Sequence, residues 1–432
     1  MQPTDAMQNL ILVRGARQLL TLRGPSGPRR GADLRNLGVI QDGAVLIADG
    51  LIREVGPSRR IENLAVARGA QEIDASGCVV MPGFVDCLTY LAAGPARLME
   101  YEMRLAGASW REIQQAGGGT VALARSIQDL SFRAVEAFAM RALEDAVRHG
   151  TTAIEARSGF SLSEAGEIKT LRVHAALEKR CAPLPVISTL LCARAAPGFE
   201  DRADEYLDWA CSHLLPLVKR RKLAGFAAIR CGGDGFSAEQ AHAYLSAVRQ
   251  MRFGLRVEAS GGSPSAAINL AAELNASSVD NVAEASEEDL ARLAQSAVIA
   301  TLLPGAEFHL GTRPFASARR LIEQGAAVAL ASGYHPVTCP SLNMQMITAL
   351  ACAGMHMTPA EAIAAATVNA AHALGLAARI GSLEAGKSAD LLILSVSDYR
   401  EIPYRFGVNL VDLVMVQGEI LVRRSEVKWQ AN

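Results

Sequence analysis

The sequence predicts an α/β protein: a (β/α)8 barrel of the TIM type, carrying a small β-domain built from both chain ends. The prediction rests on a change of pattern along the chain. Between Pro82 and about Gly375, short apolar runs alternate with amphipathic helical stretches about eight times, which is how a parallel barrel reads in sequence. On both sides of that region the chain reads as short β-rich runs without helical periodicity.

The elements follow in order. "NLILVRGARQLLTL" and "GAVLIADGLIREVGP" are strands broken by Gly, Asp-Gly and Pro, with a hairpin turn at Ala48 to Gly50. Arg23 to Asn36 is a polar Gly/Pro loop. The barrel strands are "VVMPGFVD", "TTAIEARS", "LPVISTLLC", "GFAAIRC", "GLRVEAS", "SSVDNV", "SAVIATLLP" and "AAVALASG". Helical stretches such as "FRAVEAFAMRALEDAVRH" and "EQAHAYLSAVRQMR" separate most of them. "IGSLEAGKSADLLILS" and "LVDLVMVQGEILVRR" return to strand. The expected organisation is a β-sandwich part at residues 1–80, the barrel at 81–378, and the second β-sandwich part at 379–432.

Composition narrows the function classes. The chain has 432 residues, half of them apolar and 20% charged, which suits a globular protein with a sizeable core. A net charge of −1 gives no reason to expect nucleic acid or a membrane surface as partner. The eight cysteines are scattered without a CxxC pair, which argues against a structural zinc site and a disulfide framework. The opening "MQPTDAMQNLILVRGARQ" lacks the layout of a secretory signal, so a cytoplasmic location is expected. A homodimer is the default expectation for such a fold.

In a barrel of this kind, chemistry sits at the C-terminal ends of the strands. Those ends read Asp86-Cys87-Leu88-Thr89-Tyr90, Arg157-Ser158-Gly159-Phe160, Cys192-Ala193-Arg194, Cys231-Gly232-Gly233, Glu258-Ala259, Asp280-Asn281 and Ser332-Gly333-Tyr334.

Several segments, in order, resemble the imidazolonepropionase family of amidohydrolases over nearly the whole chain. "PGFVDCLTYLAAG" resembles PGF-x-D-x-H-x-H. "MRLAGASWREIQQAGGGT" resembles RLQGASY-x-E-I-x-x-AGGG, and "TTAIEARSGFSLSEAGEIKTLR" resembles TTVEIKSGYGL with E-x-K-x-LR. "ALASGYHP" resembles A-T-D-x-N-P, and "TPAEAIAAATVNAAHALG" with "IGSLEAGKSADLLIL" resembles the shared tail. The resemblance implies a metal-dependent hydrolase barrel that opens a cyclic amide C–N bond with zinc or iron.

The chemical residues of that family do not carry over. Its paired metal histidines fall on Leu88 and Tyr90, a third metal histidine on Glu258, a further site histidine on Asn281, and its metal aspartate on Gly333. Its substrate-contacting histidine falls on Arg194, a site glutamate on Gly232, and a site tyrosine on Phe160. Arg97 matches the family's substrate-binding arginine, and Glu100 an acidic position beside it. No bound metal cofactor is therefore expected. A metal lowers the pKa of its water from about 15.7 to roughly 7. At about 1.36 kcal/mol per unit, that is on the order of 10 kcal/mol toward hydroxide, which one carboxylate does not supply.

The remaining candidates have competing readings. Glu258 is either a general base or the partner of Arg194 in a buried ion pair. His335 is either catalytic or a hydrogen-bonded loop residue. Cys87 is either a nucleophile or a buried inert thiol. "AGGGT" lacks the Lys-Ser/Thr of a P-loop and reads as a loop near the barrel mouth. Arg97, Arg157 and Arg194, with Phe160 as a stacking face, suggest binding of a small carboxylate-bearing molecule without turnover; the alternative is an active hydrolase of cyclic amide C–N bonds whose altered, metal-independent chemistry is built on Glu258, Arg194, Arg97 and His335.

Overall fold

The computed structural model describes residues 9–312 and 315–424. Its first sheet collects both chain ends. β1 (Leu10–Leu20), β2 (Val39–Ala48), β3 (Leu51–Pro57), β4 (Gln71–Asp74) and β5 (Val79–Pro82) come from the start of the chain. β14 (Leu391–Leu394), β15 (Val411–Val416) and β16 (Glu419–Arg423) come from its end. The order is β16-β15-β14-β5-β1-β2-β3, with β4 beside β1. The β2–β3 hairpin turns at Asp49 and Gly50, with φ of +50° and +80°. That pair of positive angles is what a tight hairpin turn demands, and Asp-Gly supplies it cheaply.

The second sheet is the barrel. β6 (Phe84–Asp86), β7 (Thr151–Arg157), β8 (Val186–Cys192), β9 (Phe226–Cys231), β10 (Gly254–Ala259), β11 (Ser278–Asp280), β12 (Ile299–Leu302) and β13 (Ala327–Leu330) lie in that sequential order. Every ladder between them is parallel. A parallel bridge from Thr89 to Tyr334 joins the two edges. At that seam the Tyr90 amide donates to the Tyr334 carbonyl at 2.8 Å, and the Gly333 amide to Leu88 at 3.0 Å.

One expected strand divides. "VVMPGFVD" enters the composite sheet as β5 and the barrel as β6, changing sheets at Gly83. A side chain is excluded there, because a Cβ on Gly83 would stand 2.1 Å from Thr152 Oγ1. The helix at Phe132–Arg148 starts where Ser131 accepts from the Ala134 amide, and buries Val135, Ala139, Leu143 and Ala146 at helical spacing. The helix at Ala238–Gln250 has a capping box from Ser237 and Gln240. Among the described residues no helix is long and apolar enough to cross a membrane.

Candidate functional site

A cavity of about 490 Å3 opens at the C-terminal ends of the barrel strands. Leu88, Tyr90, Phe160, Glu258, Gly333 and His335 all line it. The stretch between β6 and β7 roofs it through Glu100, Trp110, Gly119 and Thr120. "AGGGT" opens the helix at Gly119–Asp129 rather than forming only a loop. Leu88 and Tyr90 line the space instead of filling it.

Glu258 sits at the centre of the site. Tyr90 Oη donates to its Oε2 at 2.8 Å. Arg230 grips Oε1 with Nε at 2.9 Å and Nη2 at 2.7 Å. Arg157 Nη1 stands 3.5 Å from Oε2. Burial works against the Glu258 charge, but the Arg230 and Arg157 cations outweigh it, so its carboxyl stays below the ordinary glutamate value.

The expected partner, Arg194, is elsewhere. Its guanidinium lies 3.8 Å from Asp234. The reason is topological: β8, which leads to Arg194, is separated from β10 by β9. Arg230 is on β9, directly opposite Glu258 in the parallel register, so the two side chains share a face of the sheet. The Glu258–Arg194 pair is thus replaced by Glu258–Arg230.

Beneath Glu258 the barrel interior is charged. Arg157 is 1% exposed, and its Nη atoms reach Glu155 at 3.1 Å and Asp280 at 2.8 Å. Arg256 lies 3.4 Å from Glu155, which also accepts from Thr189 at 2.5 Å. Asp86 accepts from the Ser332 amide at 3.0 Å, and burial pushes its carboxyl up to about 7. Arg157 is therefore a buried hub, with its donors directed at three acids rather than at a ligand.

Arg97 is bound to Glu100 through its own guanidinium. Glu100 lines the cavity, so the pair presents a carboxylate there and not a free arginine. Phe160 meets Tyr90 edge-on at 5.0 Å and lies under the Arg230 guanidinium at 5.3 Å. Asn281 donates to the Ala259 carbonyl at 3.2 Å. His335 accepts at Nδ1 from the Val337 amide at 3.2 Å, which leaves the proton on Nε2, and Nε2 has no partner among the described residues. Burial, with Arg230 nearby, lowers its pKa to about 3, so the ring is neutral. Cys87 is buried and its thiol pKa is pushed far up by desolvation, the signature of an inert cysteine.

The metal expected of the fold is a poor match for these residues. Leu88 offers no lone pair and Gly333 no side chain. Glu258 spends both oxygens on two guanidiniums and a phenol. A divalent cation beside it would be repelled by Arg157 and Arg230. Among the described residues no group of three His, Cys, Asp or Glu is arranged to hold a metal.

Relatives with known names place the chain. It is 40% identical to the imidazolonepropionase of Geobacillus kaustophilus over 421 residues, covering 96% of this chain and 99% of that one. The chain belongs to the imidazolonepropionase family. It is also 39% identical to the enzyme of Parabacteroides distasonis, covering 95% of this chain and 98% of that one. A model of the amidohydrolase family matches residues 311–421. Two solved structures share the fold. A triazine hydrolase variant superposes with a TM-score of 0.75 at 16% identity, covering 96% of this chain and 95% of that one. Guanine deaminase from E. coli superposes with a TM-score of 0.71 at 16% identity, covering 96% and 99%.

Arg230 is the site residue that motif reading misses. It lies inside "GFAAIRC", before the strand end where site residues are sought. Strand parity could find it. With Gly254 opposite Phe226, Glu258 falls opposite Arg230.

Proposed function

We propose that this member of the imidazolonepropionase family does not perform metal-assisted ring C–N hydrolysis, and that its mouth is a binding cavity for a small carboxylic acid. The observation that carries the reading is the engagement of Glu258 by Tyr90, Arg157 and Arg230. An internal guanidinium pair supplies the positive charge next to Glu258, whose two oxygens are both engaged. Glu258 is held as a low-pKa acceptor. His335 presents an N–H rather than a lone pair, so it donates to a ligand and is a poor base.

The ligand class rests on what the wall still offers. Arg97 and Arg157 are occupied and Arg230 spends Nε and Nη2 on Glu258, so the donors left for a guest are Arg230 Nη1 and His335 Nε2–H. A carboxylate accepts from both. Phe160 gives a flat guest an aromatic face.

Two assays test this reading. Imidazolonepropionate should lose no absorbance above the uncatalysed rate, with or without added zinc or iron. A turnover of about one per second or faster, typical of working enzymes, would overturn it. Calorimetry with imidazolepropionic acid should give an affinity of roughly micromolar to millimolar, weakened about tenfold by His335→Phe. No heat at millimolar ligand would remove the binding half of the proposal.

A further inference from the structure

A second cavity, of about 490 Å3, lies away from the mouth. It sits between the Gly/Pro loop that follows β1 and the segment that follows the helix at Ala370–Ala373. That segment packs at the N-terminal end of the barrel. Asn369 donates to Val328 near the start of β13, and Arg256 reaches the Ala373 carbonyl from inside the barrel. The cavity therefore lies at the opposite end of the strands from Glu258.

Its wall is unusual in charge. Arg29 is 2% exposed, and among the described residues its guanidinium is bonded to a carbonyl and in no ion pair with a carboxylate. Nη2 donates to the Leu22 carbonyl at 2.8 Å, and Nε has no partner. A buried guanidinium without a counter-ion is costly unless something else supplies the charge. Lys387 joins it, bound to Ser382 at 2.6 Å and to the Ala377 carbonyl at 2.7 Å. Glu384, the acid on this wall, lies 3.5 Å from Lys387 and accepts from Ser382 at 2.6 Å. His372 completes the group. Burial, followed by Lys387 and Arg29, lowers its pKa, as a positive surrounding should.

The wall is also held in place. Asn369 clamps the Arg29 backbone from both sides, accepting at 2.7 Å and donating at 2.9 Å. Gly24 leaves room for the guanidinium, since a Cβ there would stand 2.0 Å from Nη1. These residues build a fixed recess with one uncompensated cation, one half-compensated cation and an imidazole.

We propose that this recess is an oxyanion site, taking the phosphate or carboxylate group of a small molecule against Arg29 and Lys387. A planar guanidinium matches either group through parallel hydrogen bonds, and the ammonium adds a point charge. The volume falls within the range of small-molecule sites and leaves room for a ligand larger than the oxyanion itself.

Thermal unfolding of the full chain tests it, with sodium phosphate and sodium malonate each set against sodium chloride at matched ionic strength. A saturable rise in midpoint is expected with at least one of the two anions, as for any ligand of the folded state. The anion that gives the larger rise names the group the site prefers. Lys387→Gln, at a side chain 18% exposed, should weaken the apparent affinity about tenfold. Arg29→Met should abolish the rise. Equal curves in phosphate, malonate and chloride would overturn the proposal. A rise that both substitutions leave intact would do so as well, because the anion would then act elsewhere.

Discussion

Arg230 and Glu258 face each other across adjacent parallel strands, with Nη2 2.7 Å from Oε1, at the mouth of the barrel. Both side chains are largely buried, at 13% and 5% exposure. Removing one partner of such a pair leaves a charge in the barrel with half its compensation gone. Arg230→Met should therefore destabilise the protein by about 3–5 kcal/mol in chemical denaturation. The double variant Arg230→Met with Glu258→Met should recover much of that loss, because an apolar pair of similar volume needs no counter-charge. A single-variant cost below about 1 kcal/mol would place the pair among ordinary surface ion pairs.

Tyr90 contributes a smaller share. Its hydroxyl donates to an ionised acceptor at 2.8 Å. Hydrogen bonds to charged groups contribute about 1.5–3 kcal/mol. Tyr90→Phe should lower stability by about that amount, and should leave the ring contact with Phe160 intact. An unchanged unfolding curve would show that the phenol does not hold Glu258.

The site was legible in outline and not in its wiring. The eight barrel strands, the composite sheet and the family follow from strings such as "TTAIEARS" and "IGSLEAGKSADLLIL", because period and turn residues act locally. That Leu88 offers a metal no lone pair and Gly333 no side chain is equally local. The partner of Glu258 depends on which strands are neighbours. Arg194 follows β8 and Arg230 lies within β9, and only the order β8-β9-β10 makes Arg230 the neighbour of Glu258. Arg97 is a different case, because its partner Glu100 is only three residues away. Its capture follows from the helical start at Leu98, which brings Glu100 one turn on beside the Arg97 guanidinium, a local contact that motif matching does not consider.

Histidines alone should not give the mouth metal affinity. In Leu88→His with Tyr90→His and Glu258→His, the guanidiniums of Arg157 and Arg230 still face the site. Adding Arg230→Ala should raise zinc affinity at least about tenfold by removing a like charge at contact distance. Gly333→Asp should help little. Gly333 has φ of +61°, which side chains rarely adopt, and a Cβ there would crowd Leu303 at 3.2 Å. Competition against a zinc indicator measures all of these, and equal affinity with and without Arg230 would refute the repulsion argument.

Acid should weaken the fold early. His174 and His335 are both buried, and burial lowers each pKa to about 3. In the unfolded chain each takes its proton near the ordinary value of 6.5. The unfolded state thus binds more protons between those values, and stability falls as pH drops from about 6.5 toward 3. Above 6.5 this contribution is fully present. His174→Gln should flatten the slope in that window, because Gln does not titrate. Denaturation midpoints at pH 7, 6 and 5 measure it, and equal slopes for parent and variant would contradict the assignment.

With Arg230 and Glu258 paired at 2.7 Å, the barrel mouth should hold no metal. Elemental analysis of the full chain, purified without a metal-chelating tag and after incubation with zinc or iron, tests this most directly. The predicted result is metal far below one equivalent per chain, unchanged by Glu258→Gln. Near one equivalent of zinc, iron or manganese, lost in Glu258→Gln, would contradict it.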